Sequence, residues 1–148
     1  MLFAGTKFSL GLSIEIYQPK FSRIHQIIND HIGLANDLGS FAREKEAFET
    51  KKVCYIFNSV QTVEDLIGAD RDDADSYRAK SMTYALQLLV EKQFEMELTR
   101  LREEETLDEE EWQYVNALVF LLSGNMLCSI VLARYGGEAG KISHVNVP

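Results

Sequence analysis

Residues 36–44, Asn-Asp-Leu-Gly-Ser-Phe-Ala-Arg-Glu, carry the most chemical content in this chain. Asn36, Ser40 and Glu44 stand at i, i+4 and i+8. On an α-helix, at about 100° per residue, they fan over only about 80°. A carboxamide oxygen, a hydroxyl and a carboxylate then line one stripe. All three are hard oxygen donors of the kind Mg²⁺ takes, with waters or phosphate oxygens as its other ligands. Arg43, beside Glu44, is placed to reach a phosphate oxygen on the same ion. The spacing alone is commonplace on surface helices, and two features set this stripe apart. It borders an apolar face. Gly33 and Gly39 also sit mid-helix, where each costs roughly 1 kcal/mol against alanine, as if something close needs the backbone bare.

Such a stripe needs long helices to hold it. Residues 3–17 read as a short apolar helix. Pro19 suits the first turn of the next one. Ile24, Ile27, Ile28, His31, Leu34, Ala35, Leu38 and Phe41 recur at three- and four-residue steps and carry it to about Glu49. Residues 51–67 read as a third helical segment, with Val53, Ile56, Phe57, Val60 and Val63 in period. Gly68 and the acidic run at 70–75 break it. A long amphipathic helix is expected over about 74–104, with Met82, Leu86, Leu89 and Met96 close to one line. Thr106 or Asp108 caps a last helix over about 108–135. Its seam is Trp112, Val115, Val119, Leu122, Met126, Ile130 and Ala133. Residues 117–122 are apolar all round, which predicts a central, buried helix. Gly136 and Gly137 end it. No stretch alternates enough to be a strand. The expected fold is all-α, about five mostly antiparallel helices over 1–137, with a loose tail at 138–148.

The bulk composition fits one domain. The chain has 148 residues, 46% hydrophobic and 26% charged, with a formal net charge of −8. That acidity argues against nucleic-acid binding, which needs a basic footprint. The longest apolar run, 117–122, is far short of a membrane span. The N-terminus lacks a basic region ahead of a long apolar one, so no signal peptide is expected. Cys54 and Cys128 have no CxxC spacing and no paired histidines, which speaks against zinc and fits a reducing, cytoplasmic setting. The aspartates at 70, 72, 73 and 75 read as a solvated loop that helps start the next helix, rather than as a metal site.

The pattern Asn-Asp-Leu-x-Ser-x-x-x-Glu, with a basic residue before the Glu, resembles the second metal-binding motif of class I terpene cyclases. By that resemblance Asn36, Ser40 and Glu44 chelate one of three Mg²⁺ ions and Arg43 contacts diphosphate. Asp37 holds the motif's second place and is not a ligand. Arg134 and Tyr135, at the end of the last helix, resemble the Arg-Tyr pair with which microbial cyclases bind diphosphate. Gly124, Asn125 and Ser129 match a family segment written Gly-Asn-x-x-Trp-Ser, and Cys128 stands where tryptophan is usual. The likeness covers about 20–135.

The resemblance implies a lyase of isoprenoid biosynthesis, of fungal-like sesquiterpene type, with farnesyl diphosphate as the expected substrate. Mg²⁺, Arg43, Arg134 and Tyr135 would hold the departing diphosphate. The allylic cation would cyclise in an apolar pocket, to which Phe41 and Phe120 are candidates to add aromatic faces. No catalytic acid or base is assigned. The family's aspartate-rich motif belongs before Asn36 and is not visible there. The chain is therefore expected to be the C-terminal half of a catalytic domain, paired with a missing N-terminal half or as a homodimer. It should expose apolar helix faces and have weak activity alone. A chain-elongating prenyltransferase ranks lower, because its second motif is another aspartate-rich box. A non-catalytic helical binding or interaction module is the alternative from a different class.

Overall fold

The chain builds an all-α bundle. The computed structural model describes residues 2–68, 73–104 and 107–131. Within them lie five helices: α1 (Leu2–Ser9), α2 (Pro19–Glu49), α3 (Ser59–Leu66), α4 (Asp73–Glu103) and α5 (Glu109–Val131). The described residues contain no strand.

Side-chain pairs give the directions. Along α2, Lys45, His31 and Arg23 meet Ser76, Gln87 and Glu97 of α4 in that order. One index rises as the other falls, so α2 and α4 are antiparallel. Lys20 and His25 of α2 meet Glu111 and Tyr114 of α5, so these two helices run the same way. Gln87 of α4 reaches Met126 of α5, which makes that pair antiparallel. The main core gathers Phe21, Ile24, Ile28, Phe94, Leu101, Tyr114, Val115 and Leu118. A smaller cluster, Phe41, Val60, Val63 and Ala79, sits where α3 meets α2 and α4.

Local chemistry sets the boundaries. Pro19 opens α2, where its missing N–H costs nothing. Asp108 caps α5: its Oδ1 accepts from the Glu111 amide at 2.9 Å, and Glu111 Oε2 accepts from the Asp108 amide at 3.2 Å, a reciprocal capping box. Thr106, the other candidate cap, lies outside the described residues. So do Ala133, the side chain of Ile130, the Gly136–Gly137 stop and the tail.

Several expectations are corrected. The helix over 3–17 stops at Ser9. Gly11, at φ +65°, lets the Leu12 amide bond Lys7 O and its own amide bond Phe8 O, which turns the chain. After it Leu12, Ile14 and Ile16 are buried while Ser13, Glu15 and Tyr17 face out, a period of two that a helix cannot give. The helix over 51–67 shrinks to Ser59–Leu66. Lys51 adopts φ +58° and closes the same kind of turn at the end of α2, with Lys52 N on Ala47 O and Lys51 N on Phe48 O. Phe57, in helical period on paper, is 90% exposed.

The two long helices also differ from expectation. Met82, Leu86, Leu89 and Met96 of α4 are exposed, while Thr83, Gln87 and Glu97 are buried with Ala79, Phe94 and Leu101. The polar three are satisfied inside. Thr83 Oγ1 donates to Ala79 O, Gln87 to Met126 Sδ, and Glu97 accepts from Arg100 at 2.8 Å. α5 buries one side only, and Phe120 remains 77% exposed. A Cβ at Gly33 would meet nothing within 4 Å, so no close neighbour explains that glycine.

Two outcomes follow from this packing. A non-glycine residue in the left-handed region costs about 1 kcal/mol, so Lys51→Gly should raise unfolding free energy by about that much, read from urea melts. His25 Nε2 lies 2.8 Å from the Tyr114 hydroxyl in the core, with Phe3 stacked on its ring at 4.0 Å. Burial lowers the His25 pKa from its usual 6.5. Burial also raises the Tyr114 pKa above its usual 10.0, and Tyr17 adds to that rise. Below about pH 6.5 the unfolded imidazole takes a proton that the folded one resists, so stability should fall on acidification. Above about pH 10 the unfolded phenol ionises first, so stability should fall there too. In His25→Gln the acid limb of the stability–pH curve should flatten.

Candidate functional site

All three stripe residues lie on the unbroken α2, well past its N-terminal turn. Asn36 and Glu44 are half-buried, and Arg43 is exposed. By helix geometry Arg43 lies about 20° from Asn36, on the stripe's edge. It has no ion-pair partner among the described residues. Ser40 is only 1% exposed.

One side chain meets the stripe, and it comes from outside α2. The Asn58 amide nitrogen donates to Glu44 Oε2 at 3.2 Å, to Asp37 O at 2.9 Å and, weakly, to Ser40 Oγ at 3.5 Å. Its Oδ1 accepts from the Val60 amide at 2.9 Å and caps α3. A single nitrogen within reach of both Ser40 Oγ and Glu44 Oε2 means that these two oxygens face one point. Asp37, next in the motif, is spent on structure. Its Oδ2 accepts from the Ser59 amide at 2.8 Å and from the Ser59 hydroxyl.

The donor set suits Mg²⁺: one carboxylate, one hydroxyl, one carboxamide oxygen, and two of the three turned to a common point. The fit is incomplete in one respect, because Asn58 covers the Ser40 hydroxyl. Among the described residues no three His, Cys, Asp or Glu side chains come together as a metal cluster. A stripe with a single carboxylate is not such a cluster. Beside Glu44 a cleft of about 510 Å³ is lined by Ala47, Val53, Cys54, Tyr55, Ile56 and Phe57, a mostly apolar wall that also carries a second charge, Lys52.

A second polar junction lies close by. Lys45 Nζ donates to Ser76 Oγ at 2.7 Å, and Ser76 in turn donates to Glu64 Oε1. The other oxygen of Glu64 is buried without a partner. This junction joins α2, α3 and α4 next to the stripe. Neither it nor Asn58 stood out in the sequence. The only advance signal was Asn58-Ser59 ahead of an apolar period, a helix-start signature.

Arg134 and Tyr135 lie outside the described residues, so their distance from Glu44 has no value here. Asp70 and Asp72 lie outside as well, and Asp73 begins α4. Of the Gly-Asn-Ser segment, Ser129 Oγ donates to Asn125 O, and the Asn125 amide nitrogen is buried without a partner. Cys128 is exposed. Phe41 is core, and Phe120 is exposed on α5, in a cleft with Leu2, Thr6 and Leu10.

The chain is similar to a fungal protein, Terpene cyclase 6 of Gibberella fujikuroi, with 28% identity over 120 residues. The match covers 80% of this chain and 30% of that protein, so the chain spans about a third of the relative's length. No family model matches the chain. The likeness is thus a distant one, to a terpene cyclase. No helix of the described residues is long and apolar enough to cross a membrane.

Proposed function

We propose that this chain contributes the Asn-Ser-Glu half of a Mg²⁺-dependent terpene cyclase site. The observation that carries the reading is the convergence of Ser40 Oγ and Glu44 Oε2 on one point of the Asn36–Ser40–Glu44 stripe. The likeness to a fungal terpene cyclase supports it. Residues 1–137 are read as the C-terminal half of the catalytic domain, with 138–148 as a tail. Exposed apolar side chains on α1, α4 and α5 fit a helix layer that another chain, or a second copy of this one, covers.

In this reading Asn36, Ser40 and Glu44 would hold one of three Mg²⁺ ions. Bound Mg²⁺ supplies charge that stabilises the leaving diphosphate. Arg43 offers a guanidinium at the stripe's edge, and Arg134 and Tyr135 would add a planar fork of donors and a hydroxyl. The allylic C–O bond breaks and its electron pair leaves with the diphosphate. The cation left in the hydrocarbon, taken to be the farnesyl chain, attacks its own double bond to close a ring and sheds a proton. No side chain is assigned as the base.

One observation favours a second reading, a non-catalytic helical module. Ser40 is buried beneath Asn58, so the stripe is partly closed. Calorimetry with inorganic diphosphate, with and without Mg²⁺, separates the two. The cyclase reading expects Mg²⁺-dependent binding that weakens at least tenfold in Glu44→Ala and Arg134→Ala and is unchanged in Asp73→Ala. Absence of diphosphate binding under any condition favours the module.

A further inference from the structure

We infer that Asn58 competes with a divalent cation for the Ser40–Glu44 oxygen pair, and that this side chain therefore sets cation affinity and couples ion binding to the start of α3. The inference rests on the reading of the stripe as a cation site.

A carboxamide NH₂ is a donor only, so it occupies acceptor lone pairs that a cation would also use. Here it reaches Glu44 Oε2 and Ser40 Oγ together. A donor beside a metal-ligating carboxylate usually strengthens the site by orienting the ligand. Burial decides against that role. Asn58 is 5% exposed and Ser40 1%, so an ion that comes in from the half-buried Glu44 meets the Asn58 amide beside Ser40 Oγ. An ion that takes Ser40 Oγ must displace the amide.

The displacement has a structural consequence. The same side chain holds the Val60 amide through Oδ1. If Asn58 rotates away from the stripe, the first turn of α3 loses its cap. Residues 53–57, which precede it, form the apolar wall of the cleft beside Glu44. Ion binding therefore loosens that wall, while Asp37 still holds Ser59.

The test uses the full chain with Mn²⁺ and inorganic diphosphate, free Mn²⁺ being read by electron paramagnetic resonance. Asn58→Ser keeps a capping oxygen for Val60 but is too short to donate to Glu44. It should bind Mn²⁺ about tenfold more tightly than wild type, the factor that one charge-assisted hydrogen bond carries. In wild type, Mg²⁺ with diphosphate should speed hydrogen exchange at the Val60 amide, a readout that needs no variant. Equal or weaker Mn²⁺ binding by Asn58→Ser, or a Val60 amide whose exchange is unchanged on saturation, overturns the inference. Glu44→Gln separates the two failures. If wild type binds Mn²⁺ and Glu44→Gln does not, the cation site stands and only the role of Asn58 falls. If Glu44→Gln binds as wild type does, the cation reading itself fails and the inference falls with it.

Discussion

α2 must stay one continuous helix while widening the face that it buries. Up to Ala35 it packs Phe21, Ile24, Ile28 and His31 toward α4 and α5. From Ser40 onward Phe41 keeps to the side that meets Ala79 of α4, while Ser40, about 100° round the cylinder, is buried under Asn58 at the start of α3. No kink is needed, because α3 is a short helix that reaches around to the added side. This constraint places the oxygen stripe at a helix–helix junction rather than on open surface. It also explains why a cap residue, Asn58, ends up against three acceptors of α2 at once.

The rest of the bundle supports that junction with polar groups in unusual places. α4 packs inward with Thr83, Gln87 and Glu97 beside Ala79, Phe94 and Leu101, and leaves Met82, Leu86, Leu88, Leu89 and Met96 outside. Glu97 is tolerable inside because Arg100 and Arg23 pair with it, and a buried carboxylate without such partners would cost several kcal/mol. The exposed line of Met82, Leu86, Leu89 and Met96, together with Phe120 on α5, then has no partner among the described residues. α4 therefore carries apolar side chains on two sides, one in the core and one exposed.

The sequence could be read well where periodicity and caps agree. Pro19 and the isoleucine period gave α2 to within a residue, and Asp108 started α5. The reading failed where the chain used a lysine for a glycine's task. Nothing in Thr50-Lys51-Lys52 announces a left-handed turn, so residues 51–58 passed for helix. It failed again at α4, because an apolar line shows that a helix is amphipathic without saying whether that line faces the core. At the site, spacing put Asn36, Ser40 and Glu44 on one side of a helix, and α2 holds them there, while the metal reading came from the family resemblance. The occupant of that side could not be seen, since Asn58 reaches Glu44 only through the fold.

What has to be tested is the proposal that one side of α2 presents oxygens that gather a divalent ion, with Arg134 and Tyr135 beside it. Backbone amide NMR of the full chain with substoichiometric Mn²⁺ and inorganic diphosphate tests this directly, because paramagnetic broadening marks the residues nearest the ion. The account predicts that signals of 36–44, 58 and 134–135 vanish first and together. Broadening centred on 70–75, with the α2 signals untouched, would contradict it.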